Sequence, residues 1–259
     1  MIATIVAAFG GIILLSSPAH AIATYSASSS ATVTITGFST TSGPVSKPGT
    51  LLIEGTSEAS AFNAALTGGA ATASISSTTL VLSSTPTDMV AGDAISQLAT
   101  ADGTAGGLGG QSLTAMLTNG EFFFGNAGTE DITVTLGVDW AYTLMASTFN
   151  ANQKASAIAN IIIDTLIFDA IGDQVGVDIF HVDKLVTANG LNGTSEDLTD
   201  TASLSVDVVV LAGGTTSVGL FIDAEGYAEV PAPSSLILFC FTVFSIGFTR
   251  YRKNNSFLA

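Results

Sequence analysis

The chain has 259 residues, 10% of them charged, with 27 glycines and a mean hydropathy of +0.56, which is ample apolar content for a real core. All 21 acidic residues lie between Glu54 and Glu229, and the only cations of the body, residues 22–229, are Lys47, Lys154 and Lys184; such a body cannot neutralise phosphates, which excludes nucleic acid and anionic lipid as partners. The one thiol, Cys240, sits in a C-terminal apolar run, so the body forms no internal disulfide and no Cys-ligated zinc or iron–sulfur site.

In chain order, Ile2 to Leu15 is an apolar stretch broken by Ser16, Ser17 and Pro18. Ala19-His20-Ala21 follows, with small residues at the two positions that a signal peptidase reads. Residues 1–21 therefore read as an export signal cut after Ala21, although no Lys or Arg precedes the apolar run.

The body, residues 22–229, reads as strands. Thr32 to Thr36 alternates polar and apolar, and Ser42-Gly43-Pro44 to Pro48-Gly49 is a loop. Leu51 to Glu54 and Thr72 to Leu82 are further strands; the modest helix propensity of Ala61 to Ala71 between them is undercut by Gly and Thr. Gly92 to Gly110 predicts a long loop, loosest at the Gly-rich run 102–110, whose spacing fits neither a dinucleotide fingerprint nor a P-loop. Ile132, Val134, Leu136, Val138, Trp140, Tyr142 and Leu144 hold a period of two that only a strand explains. The turn at Gly125 to Thr129 predicts pairing of that strand with Glu121 to Phe124. Ala155 to Ile163 is a strand on its alternation and its β-branched isoleucines. Leu204 to Val210 and Val218 to Ala224 read as a hairpin about Ala212-Gly213-Gly214-Thr215. The sum predicts an all-β fold, a single antiparallel sandwich-like domain with one face of each strand buried.

The C-terminal end reads Val230-Pro231-Ala232-Pro233-Ser234, an apolar run over 236–249, then Arg250, Arg252 and Lys253. The run is shorter than the roughly 20 residues that cross a bilayer comfortably; a brief transmembrane helix with a basic stop at 250–253 fits it. This three-part order over 230–253 resembles the PEP-CTERM sorting signal of exosortase substrates, with Ala232 where that family usually has Glu. The resemblance implies Gram-negative export, transient inner-membrane anchoring, and processing by an exosortase-type enzyme after signal peptidase. Release to the cell surface or the extracellular polysaccharide matrix would follow.

No side-chain constellation carries a reaction. His181 is the body's one imidazole, and without a Gly-x-Ser-x-Gly elbow it reads as a strand surface residue rather than a triad base. Trp140 and Tyr142 share parity with Ile132 and read as core. The sequence requires no cofactor; calcium is the one cation that the acidic loops Asp169 to Asp173 and Glu196 to Asp200 could take, though neither matches a known calcium loop. The expected role is that of a non-enzymatic structural or interaction protein of the envelope or polysaccharide matrix. A carbohydrate-binding or calcium-dependent adhesive module is the alternative. Phe122, Phe124 or Tyr227 on a solvent-facing sheet would favour binding, and their burial would favour the structural role.

Overall fold

The computed structural model describes residues 22–66, 70–81, 89–107, 109–149, 152–190 and 195–231. Its regular elements are strands: β1 (Ile22–Thr40), β2 (Gly43–Val45), β3 (Leu51–Leu66), β4 (Ala70–Val81), β5 (Ala94–Gly106), β6 (Gln111–Asn126), β7 (Ile132–Thr148), β8 (Gln153–Phe168), β9 (Gln174–Gly190), β10 (Ser195–Val210) and β11 (Thr215–Glu229). The first sheet runs β10-β7-β1-β5-β4, with β2 against the end of β1, and the second runs β3-β6-β11-β8-β9. Neighbours in both sheets are antiparallel. Across the interior β1 lies on β11 and β8, β5 on β6, β7 on β8, and β4 on β3. This is the all-β sandwich that the alternation predicts.

The core is graded along the strands. At one end the inward positions are small, with Ala23, Ala27, Ala105, Ala155, Ala157 and Ala228 all buried. At the other they are large, with Ile35, Ile53, Leu136, Phe122, Phe124 and Leu220. Burying a Phe or Leu side chain of this kind is worth about 1.5–3 kcal/mol relative to exposure. Tyr25 fills the small end. Its hydroxyl is hydrogen-bonded to Ser112 Oγ at 3.2 Å and accepts from Thr114 Oγ1 at 2.9 Å, and its ring occupies the space that a Cβ at Gly103 or Gly226 would need.

Three sequence expectations are corrected. The segment 92–110 is no long loop: residues 94–106 form β5, hydrogen-bonded to β1 and β4, and its glycine at 103 is there because Tyr25 lies across it. The strands on either side of Ala212 to Thr215 do not form a hairpin. β10 pairs with β7 in the first sheet, and β11 with β6 and β8 in the second, so the turn is an arch across the interior. The same holds for β6 and β7, which lie in different sheets rather than pairing. Alternation reports that a strand has one buried face; it does not report whether the next strand lies beside it or opposite it.

Among the described residues no helix is long and apolar enough to cross a membrane. The export signal with Ala19 and Ala21, the anchor predicted over 236–249, Ala232, Pro233 and Ser234, and the basic stop at Arg250, Arg252 and Lys253 lie outside the described residues.

Candidate functional site

The outward face of the second sheet carries the chemistry. β11 is its middle strand, paired without a register shift from Thr215 to Glu229 on both sides, so its outward side chains stand in one straight row. That row reads Gly219, Phe221, Asp223, Glu225, Tyr227 and Glu229, the complement of the buried Leu220, Ile222, Ala224 and Ala228.

Phe221 is held against the sheet by the glycine two residues before it. A Cβ at Gly219 would lie 2.8 Å from Phe221 Cε2 and closer still to Asp164 Oδ1. Phe221 is half-buried and its ring edge sits over Gly219. Two carboxylates stand beside it. Glu121 of β6 and Asp164 of β8 are the register neighbours of Gly219, while Asn119 and Ile162 flank Phe221 itself. One strand further, His181 of β9 pairs with Ile162, and its Nε2 lies 2.9 Å from Asn160 Oδ1. A half-buried aromatic ring can pack on the apolar face of a sugar, and the carboxylates beside it can accept hydrogen bonds from the sugar's hydroxyls.

Farther along the row, Asp223 and Glu225 are hydrogen-bonded to each other. Burial first, and the neighbouring Glu225 carboxylate second, push the Asp223 carboxyl up to about 7, with a smaller opposing effect from the Ala224 backbone. Asp223 thus keeps its proton into the neutral range. The Tyr227 hydroxyl donates to Glu229 Oε2 at 2.8 Å; burial and that carboxylate push it up to about 12. Exposed apolar groups border the row: Leu113 opposite Tyr227, Leu117 opposite Asp223, and Phe123 opposite Ser217.

The residues singled out in the sequence are distributed as follows. Phe122 and Phe124 are in the core, stacked on each other with centroids 5.9 Å apart, whereas Tyr227 is on the outer face. Trp140 and Tyr142 point inward and stack at 5.8 Å. Burial, then the carboxylate of Asp200, raises the Tyr142 hydroxyl above its ordinary value. His181 is an exposed strand residue. The 169–173 turn uses Asp169 Oδ1 to accept the backbone N–H groups of Ile171 and Asp173, so that oxygen serves the turn. Residues 196–200 are not a loop but part of β10, which corrects the second calcium candidate. Among the described residues no group of three or more His, Cys, Asp or Glu could hold a metal ion. Of the sorting motif, Val230 is buried and its N–H donates to Gly110 O at 2.9 Å, while Pro231 is exposed where the chain leaves the body.

The Phe221 platform was missed in the sequence, although its signal was present. Val218, Leu220, Ile222 and Ala224 alternate as the apolar face of this strand, and the same alternation puts Gly219, Phe221 and Asp223 outward. A shallow concavity of about 430 Å³ lies at the far end of the sandwich between Thr40, Pro48, Thr50, Glu130 and Ile132.

No family model and no curated protein matches the sequence. Among solved structures, the carbohydrate-binding module TmCBM61 in complex with β-1,4-galactotriose is similar at 8% identity and a TM-score of 0.14, covering 37% of this chain and 66% of the module. The secreted serine protease VesC from Vibrio cholerae is similar at 8% identity and a TM-score of 0.13, covering 81% of this chain and 48% of the protease.

Proposed function

We propose that this protein is a non-enzymatic binding domain of the bacterial cell surface or extracellular polysaccharide matrix, and that it contacts carbohydrate through the outer face of its second sheet. The observation that carries the reading is the half-buried Phe221 ring seated over Gly219 and bordered by the carboxylates of Glu121 and Asp164. Sugar recognition wants this combination of a flat apolar surface and fixed acceptors at its rim. Location rests on the two ends of the sequence: an export signal cut after Ala21, and a PEP-CTERM-like tail over 230–253 that an exosortase-type enzyme would process. Within the motif Val230 is buried against the body and Pro231 is exposed.

Affinity electrophoresis of the full chain in gels of neutral polysaccharide tests the reading. Retardation is expected for the parent protein and is expected to be lost in Phe221→Ala, with the thermal midpoint of that variant nearly unchanged. Retention of full binding by Phe221→Ala would refute the platform. Intact mass by cell compartment tests the location: a species from Ile22 to the 231–234 region supports both processing steps, and one retaining Arg250 to Ala259 counts against the sorting reading.

A further inference from the structure

On the reading that Phe221 is a sugar platform, we infer that the ligand is an uncharged polysaccharide bound as an extended chain along β11, from Phe221 to a second platform at Tyr227. The two aromatic residues stand on the same face of one strand, six residues apart, which in an unbulged strand is about 20 Å. That distance exceeds any single sugar, so one short ligand cannot touch both. Between them Asp223 and Glu225 supply acceptors, flanked by Leu117 and Ala115 on β6 and by Asn160 and Ile158 on β8, so the path offers apolar walls as well as acceptors.

The occupant's chemistry follows from the surroundings. No Lys or Arg stands at the register positions beside Phe221, Asp223 or Glu225 on β6, β8 or β9, where Asn119, Leu117, Asn160, His181, Asp183 and Leu185 are found. Among the described residues, the only Lys or Arg on this face near the row is Lys154, opposite Glu229 at its far end. Glu121, Asp164 and Glu225 would therefore repel uronate or sulfate groups. A peptide partner is disfavoured for a different reason: both hydrogen-bonding sides of β11 are already occupied by β6 and β8, so strand addition is closed to it and only side chains can read the ligand. Hydroxyl donors along a neutral chain match an acceptor-rich row.

Titration calorimetry on the full chain, with cello-, manno- and galacto-oligosaccharides from disaccharide to hexasaccharide and polygalacturonate as the anionic arm, tests the inference. Affinity for the series that binds is expected to rise about tenfold or more beyond the trisaccharide, and Tyr227→Ala is expected to pull the hexasaccharide down to the level of the short chains. Thr199→Ala, on the opposite sheet, should leave the whole series unchanged. Polygalacturonate should neither bind nor compete. Equal affinity at every length, or polygalacturonate binding as tightly as a neutral chain, overturns the extended neutral-chain inference while the Phe221 platform stands. A folded protein that binds no neutral member at any length overturns the platform and the inference together.

Discussion

At the scale of single residues, the most consequential group is Asp223. A carboxyl held near 7 in the folded chain, against 3.8 ordinarily, keeps a proton that the unfolded chain releases. Its favourable contribution is complete below about pH 4 and is lost as pH rises toward 7. Replacing it with Asn removes both the burial of a charge and the repulsion from Glu225. Asp223→Asn is therefore expected to raise the urea midpoint at pH 8, with the difference from the parent fading below about pH 4; an equal gain at both pH values would mean that the carboxylate pair is not its source. The neighbouring aromatics show how sharply parity decides roles. Phe122 and Phe124 were weighed as solvent-facing platforms, but they are 1% and 0% exposed, while Phe123 between them is 38% exposed. Period-two alternation makes such a triplet divide between core and surface, and which member goes in follows from the register with β3 and β11. Phe221 was legible by the same logic, since it stands between Leu220 and Ile222; its posture was not, because the ring's seat is a glycine whose emptiness matters only once Asp164 of β8 is beside it.

At the scale of elements, the Tyr25 end of the core is the tightest fit in the molecule. The ring of β1 passes between the backbones of β5 and β11 only because residues 103 and 226 lack a side chain. Gly226→Ala is expected to cost about 1–3 kcal/mol as overpacking. In a Tyr25→Ala background the same substitution should cost far less, and chemical denaturation of the four proteins reads that coupling; additive losses would show that Tyr25 is not the obstacle. This packing also explains a misreading. Asp102 to Gly110 was taken for a loop because glycine without a partner denotes flexibility, yet Gly103 has a partner 78 positions earlier in the sequence that no local pattern reports. The strands with uninterrupted alternation, β7 above all, were plain in the sequence, and so was the turn at 212–215. Where that turn leads was not, since an arch into the facing sheet and a hairpin into the same sheet bury the same residues.

At the scale of the whole molecule, the order of strands has a symmetry that sets how the chain folds. With the short β2 set aside, reading the ten long strands backwards and exchanging the sheets turns β10-β7-β1-β5-β4 into β3-β6-β11-β8-β9. The first strand is thus the middle of one sheet and the last strand the middle of the other, and they pack on each other across the core. The second sheet cannot close early: without β11 it falls into the separate pairs β3–β6 and β8–β9, and the buried Tyr25, Ala27 and Ala31 of β1 lose cover from the facing sheet. Most pairings join residues far apart in sequence, a topology that folds slowly. For a chain that is exported, as proposed, this is an advantage, because a body that waits for its last strand stays threadable until residue 229 has been made. A chain ending at Ala212 is accordingly expected to show no cooperative thermal transition and rapid proteolysis, and a peptide of residues 213–231 added in trans is expected to restore both protection and the transition. A cooperative melt in the truncated chain alone would mean that the remaining strands close a core of their own, and the dependence on β11 would be refuted.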